Sequence, residues 1–288
     1  MRILNLEYKT IPIFRLVDDI NNNNYQNGIT LITNAWHNSD KPLKQSKNWP
    51  NSIILANSEE EYEYYIEKTE TNVIFCNHNS FLNEERFKII ENKKQYNMLI
   101  SSCFSYYKNV SMAKNIDNVL HVGYINEKLE YIPDFGTRAN FINNSMDMND
   151  YEWICTKKYV NLLNSSLCGG IFSLQEGACF TSSEYLLCGL PVISTKSLGG
   201  RDIFYNKENS IICDSNTNSA LEAFNELKNN IDFFDKHKIR ENHINKMDYF
   251  RNILTNTVKD MIEDKYNETV NFEELKTILK YYDNSNIY

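Results

Sequence analysis

No run of about 18 apolar residues occurs in the chain, the length a membrane-crossing helix needs. No cluster of Lys and Arg occurs either, and the formal charge is −8, so the sequence excludes a protein that grips a phosphate backbone. The first residues, Met1-Arg2-Ile3-Leu4-Asn5-Leu6-Glu7, carry charge at once and have no apolar signal-peptide core. The seven cysteines form no C-x-x-C pair, and none of the five histidines stands at metal-ligand spacing from one. Most cysteines sit in apolar runs such as Ile74-Phe75-Cys76, as small buried hydrophobes of a reducing compartment do. The expectation is a cytoplasmic protein with no metal, no nucleic-acid partner and no transmembrane segment. One or two placed cations and a helix N-terminus could still hold a small anion.

What is present is an ordinary globular mixture, 42% hydrophobic and 24% charged over 288 residues. Short β-rich runs alternate with helical stretches, the pattern of parallel α/β sheets. Candidate strands are Ile29–Thr33, Ser52–Ala56, Val73–Cys76, Met98–Ser101, Val119–Tyr124, Gly170–Leu174, Pro191–Thr195 and Ser210–Cys213. Helices are expected at Ser58–Lys68, capped by Ser58 with Glu61 three residues on, near Ser111–Asn115, at Asn149–Ser165, at Ser182–Cys188 and over most of the chain from Ala220. The segment Glu127–Met148, with Pro133, Gly136 and many Asn, reads as an irregular loop. The polar stretch Glu91-Asn92-Lys93-Lys94-Gln95 marks a boundary between a small unit, 1–94, and a larger one, 95–288.

The chemistry concentrates in Ser173–Asp202. A strand ends at Leu174 and opens into a loop with Glu176 and Gly177. A helix starts near Thr181 and stops at Gly189, and Pro191 opens the next strand. In an open parallel sheet, ligands sit beyond the carboxyl ends of the strands. The amides from Gly177 through Ala178 and Cys179 to Ser183 would face an anion there, aided by the helix dipole. Gly199-Gly200 offers a second close backbone approach. Thr181-Ser182-Ser183-Glu184 is also a capping-box sequence, in which Glu184 satisfies the helix's own amide.

These residues resemble the donor-site signature of the GT-B-fold retaining glycosyltransferases. Glu176 and Glu184 stand with seven residues between them, followed by Gly189-Leu190-Pro191-Val192 and Gly199-Gly200. The resemblance implies two Rossmann-like α/β units facing a cleft, the N-terminal, acceptor-side one reduced, and a hexosyltransferase-like transfer with retention and no metal or cofactor. A nucleoside-diphosphate sugar would be the co-substrate, and a glycan, lipid-linked or other hydroxyl compound the acceptor. It implies that Glu176 contacts the donor sugar's hydroxyls and Glu184 the ribose. It also implies a cation after an earlier strand for the leaving diphosphate, placed here at Lys108 or, second, at Lys128. The pattern departs in Gly200-Arg201-Asp202, where the family has a Glu three residues after the glycines, so Arg201 is a further candidate for the phosphate. His78, at the end of a strand in Phe75-Cys76-Asn77-His78-Asn79-Ser80, is a candidate acceptor-side or sugar-contacting group. The alternatives are a sugar-nucleotide epimerase or hydrolase of the same architecture, and a degenerate binding scaffold.

Overall fold

The computed structural model describes residues 2–17, 28–34, 36–37, 39–124, 132–142 and 153–281. Two sheets organise it, of five and six strands. In the first, β1 (Arg2–Tyr8) and β2 (Ile11–Val17) form an antiparallel hairpin. Strands β3 (Ile29–Thr33), β4 (Ser52–Ala56) and β5 (Asn72–Phe75) then add in parallel and in chain order. Alternation along these strands sorts side chains to two faces. Ile29, Leu31, Ile53 and Leu55 enter the main core, whereas Ile32, Ile54 and Ala56 join Trp49 and Tyr65 in a smaller cluster on the other face. Helix α1 (Lys41–Ser46) joins β3 to β4, and α2 (Glu59–Ile66) joins β4 to β5. The α2 cap is the expected one: Ser58 accepts from the Glu61 amide.

The second sheet is wholly parallel. It comprises β6 (Tyr96–Cys103), β7 (Val119–Tyr124), β8 (Ala139–Phe141), β9 (Ser166–Ile171), β10 (Val192–Thr195) and β11 (Ser210–Cys213), in the order β11-β10-β9-β6-β7-β8. Strand order runs outward from β6 in one direction and from β9 in the other, so these neighbours are a topological switch point. Helices α3 (Thr156–Asn164), α4 (Phe180–Leu187) and α5 (Thr217–Asn229) connect or flank these strands. The architecture is thus two parallel-strand α/β units.

The 31-residue α6 (Lys236–Tyr266) and α7 (Phe272–Leu279) return to the first unit. Arg251 of α6 donates to the Ser80 carbonyl at 2.6 Å, and the Asn271 amide donates to Tyr8 Oη at 2.8 Å. From sequence alone these helices are expected within the second unit, 95–288. One hydrophobic core, from Tyr8 to Leu279, runs through both units. No described helix is long and apolar enough to cross a membrane.

Other expectations shift. The hairpin β1–β2 and helix α1 were not foreseen. Val110–Ala113 is a 3-10 turn where a helix was expected near Ser111–Asn115. The helix expected from Asn149 starts at Thr156, and residues 149–152 lie outside the described residues. The expected loop Glu127–Met148 contains β8, and residues 127–131 and 143–148 lie outside the described residues, Lys128 among them.

Strand β7 carries a buried histidine. His121 is 1% exposed among Phe104, Phe135 and Phe141, its ring stacked on Phe141 at 5.4 Å. Burial pushes its pKa down to about 4. An unfolded histidine titrates near ~6.5, so between that pH and about 4 the unfolded chain binds a proton that the folded chain refuses. Stability is therefore expected to fall as pH drops through this window, by about 1.4 kcal/mol per unit and about 3 kcal/mol in all. Buried His243, pushed down to about 3 by burial and by Arg251, adds to the same slope. Urea midpoints at neutral and mildly acidic pH measure the effect. His121→Phe should flatten the dependence, and an unchanged slope would refute the assignment.

Candidate active site

At the switch point the carboxyl ends of β6, β7 and β9 open into a cavity of about 390 Å³. Its walls are Ser101–Cys103, Gly123–Tyr124 and Gly170–Ser173, closed by Tyr107, Lys108, Glu176 and Cys179. Open α/β sheets bind ligands at such a crevice.

Lys108 ends a 3-10 turn, Tyr106–Lys108, directly after β6, and Asn109 turns the chain away with φ of 54°. From the other side, β9 runs into Ser173 and the loop bearing Glu176. Lys108 Nζ lies 2.5 Å from Glu176 Oε1, which also accepts from Ser173 Oγ at 2.6 Å. Burial alone would lower the lysine's pKa. The Glu176 carboxylate, bonded directly to the ammonium, outweighs it and holds the pKa above its ordinary value, so Lys108 is a cation at neutral pH. Cys179 is no thiolate nucleophile there, because burial and the Glu176 charge push its thiol up to about 12. The site thus offers a cation and a carboxylate side by side on the wall of a cavity, and Glu176 is the one carboxylate among its described lining residues.

The other candidate residues lie around this pair and not on the cavity wall, Cys179 excepted. The loop after β10 is packed tightly on protein. A Cβ on Gly199, whose φ is +96°, would meet the Glu176 carbonyl at 1.8 Å, and one on Gly200 would meet the Asn57 carbonyl at 2.4 Å. The space that a side chain would need at Gly199 and Gly200 is therefore taken up by Glu176 and by the first unit.

Arg201 turns inward, against the expectation that it reaches a phosphate. Its side chain is fully buried and donates to the Ser173 carbonyl at 2.7 Å, to Ser173 Oγ at 3.0 Å, to the Thr195 carbonyl and to Asp202. It ties the ends of β9 and β10 together beneath Glu176.

Helix α4 starts at Phe180, with Cys179 at the cap position in left-handed conformation and no side-chain cap bond. The capping-box reading is therefore not realised. Glu184 lies in the second turn, 2% exposed, and accepts from Tyr159 Oη at 3.0 Å. Tyr159 lines the cavity, so Glu184 stands one hydrogen bond behind its wall. His78 sits where the units meet. Its amide donates to Asn57 Oδ1 at 3.0 Å and its ring meets Phe180 edge-on at 4.8 Å.

Two asparagines of the first unit, assigned no role from sequence, hold the loops of the second. Asn77 Nδ2 donates to the Gly200 carbonyl at 2.9 Å and to the Asn57 carbonyl at 2.8 Å. Asn79 Nδ2 donates to the carbonyls of Ala178 at 2.7 Å and Cys179 at 3.1 Å. A trans peptide is planar, so its N–H points opposite to its carbonyl. The amides of Cys179 and Phe180 are thereby turned away from Asn79, while Gly177 fixes the adjoining loop by accepting from the Gly200 amide at 2.8 Å. The polar run after β5 was the one available signal. Its partners lie about 100 residues on, beyond any local pattern.

No protein-family model matches the chain, and no curated protein is detectably similar to it. Solved structures are. The pneumococcal O-GlcNAc transferase GtfA, in complex with UDP and GlcNAc, superimposes with a TM-score of 0.58 at 12% identity, over 83% of this chain and 54% of that one. TarM gives 0.57 at 14% identity, over 82% and 51%. Sucrose-phosphate synthase from Thermosynechococcus elongatus gives 0.57 at 14%, over 78% and 64%. The chain thus spans between half and two thirds of these three proteins. With two parallel-strand sheets and these neighbours, the chain has the GT-B fold.

Proposed function

We propose that this chain transfers a glycosyl group from a nucleoside-diphosphate sugar to a hydroxyl acceptor, with retention and without a metal. The observation that carries the reading is the Lys108–Glu176 pair lining the switch-point cavity. The GT-B fold agrees with it, and one neighbour was solved with UDP and GlcNAc bound. The donor lies in the cavity with its diphosphate toward Lys108 and the start of α4, where the helix dipole favours negative charge. As the glycosidic bond breaks, Lys108 leaves its carboxylate partner for the departing diphosphate, a preorganised electrostatic role. Glu176 accepts from the sugar's hydroxyls. It is already engaged by Lys108 and Ser173, so the route is attack on the leaving-group face by an acceptor held close. Arg201 and the asparagines act beneath this layer by fixing the loops that carry it.

Thermal shift against nucleoside diphosphates and their sugars tests the reading. A ligand at 100 times its Kd adds about 2.7 kcal/mol to the folded state, so the correct donor should raise Tm visibly. Glu176→Ala should lose the sugar-dependent part of that rise. No shift with any member of the panel would count against a donor site. Rapid donor breakdown that no acceptor diverts would favour a hydrolase.

A further inference from the structure

Beside the Lys108–Glu176 pair stands an aromatic edge that a donor does not explain. Trp36 follows β3 of the first unit and Tyr107 follows β6 of the second. Their rings meet edge-on, with centroids 5.4 Å apart, and remain 46% and 41% exposed. A single exposed aromatic needs no explanation, but this one is mounted on a buried frame. Asn34 Oδ1 accepts from the Trp36 amide at 3.2 Å, and Asn34 Nδ2 donates to the Trp36 carbonyl and to Tyr65 Oη. Asn57 Nδ2 donates to the Asn34 carbonyl at 3.0 Å. Asn34, Asn57 and Tyr65 are all buried. The fold therefore commits interior polar groups to holding the indole outward.

Position suggests the use. Tyr107 lines the cavity, and Lys108 Nζ is 5.2 Å from its ring centre. On the donor reading above, on which this inference rests, the reacting carbon lies beside Lys108 and Glu176. An acceptor oxygen must come within about 3–3.5 Å of that carbon. An acceptor arriving from the first unit then lies across Tyr107 and Trp36. Aromatic faces suit the C–H-rich face of a pyranose, which is apolar while its rim is polar.

We infer that Trp36 and Tyr107 form an acceptor subsite for a glycosyl unit, so that the acceptor is itself a sugar or glycan. The test compares wild type with Trp36→Ala and Trp36→Phe, supplied with the donor that stabilises the protein. The acceptors are methyl glycosides of glucose, galactose and N-acetylglucosamine in one arm, and a polyprenyl phosphate and a serine-containing peptide in the other. The ratio of transfer to donor hydrolysis should fall about tenfold in Trp36→Ala, through acceptor KM, and largely recover in Trp36→Phe. A merely structural loss would lower both reactions and leave the ratio in place. A ratio unchanged in Trp36→Ala, or wild-type transfer confined to the polyprenyl phosphate or the peptide, overturns the inference. Absence of any donor binding in wild type strikes the donor reading instead. In that case the indole fluorescence of wild type and Trp36→Phe, titrated with the same methyl glycosides, still decides, and no saturable change assignable to Trp36 overturns the subsite.

Discussion

Lys108→Ala is expected to lower kcat by about 10²–10³-fold, the effect of removing one preorganised stabiliser of developing charge. If Lys108 acts on the departing diphosphate, kcat and kcat/KM fall together, because the contact tightens only in the transition state. A fall confined to KM would mark a ground-state binding group. Lys108→Arg keeps the charge but swaps a compact ammonium for a planar fork, so it should restore only part of the rate. The substitution also strips Glu176 of its cation, although Ser173 Oγ remains as a donor at 2.6 Å. The fold should therefore survive, as circular dichroism and Tm will show. Steady-state rates within about threefold of wild type, well short of the loss expected of an electrostatic stabiliser, would remove Lys108 from the chemistry.

The largest stability effect is expected at Arg251, far from the cavity wall. Its guanidinium is 2% exposed and donates to the carbonyls of Ser80 and Leu82, to Glu84 Oε2 at 2.9 Å and to Asp248 Oδ1 at 3.0 Å. Lys280 Nζ reaches the other Glu84 oxygen at 2.7 Å. Burial opposes the Glu84 charge, and the bonds from Arg251 and Lys280 overcome that and hold its pKa below the ordinary value. Arg251→Met would leave a buried carboxylate short of a partner and two carbonyls without their donor. Breaking such a pair on one side costs about 3–5 kcal/mol. For a chain of this size that is a fall in Tm on the order of 10 °C. Arg251 joins α6 to the segment after β5, so its loss should also loosen the first unit from the second. Lys259→Met, at a half-buried i,i+4 pair on the same helix, is the control and should shift Tm far less. Equal shifts would mean that the buried network does not hold the units together.

The second sheet was legible because its strands are short apolar runs ended by turn residues. Val119–Tyr124 and Ser210–Cys213 fall where the pattern puts them. The hairpin β1–β2 was not, for a physical reason. Its two-residue turn, Lys9-Thr10, has no Gly or Asn to announce it, and Lys9 takes φ of 53° itself. Pro12 also argues against an inner strand, yet it falls near the start of one. At the site, the resemblance singled out Glu176 after β9 and Lys108, ahead of Lys128, after β6, and the structure brings Lys108 and Glu176 together. Arg201 was misread because two glycines followed by a cation look alike whether the side chain turns out to a ligand or in to Ser173 and Thr195. Only the third dimension separates these. The same holds for Asn77 and Asn79, whose partners belong to the other unit.

The central claim is that the switch-point cavity receives a nucleoside diphosphate against Lys108. A crystal structure of the protein with its stabilising nucleoside diphosphate tests it most directly. The account predicts the diphosphate within hydrogen-bond reach of Lys108 Nζ and the first amides of α4, with the Lys108–Glu176 contact lengthened. A nucleotide bound elsewhere, with Lys108 still on Glu176, would contradict it.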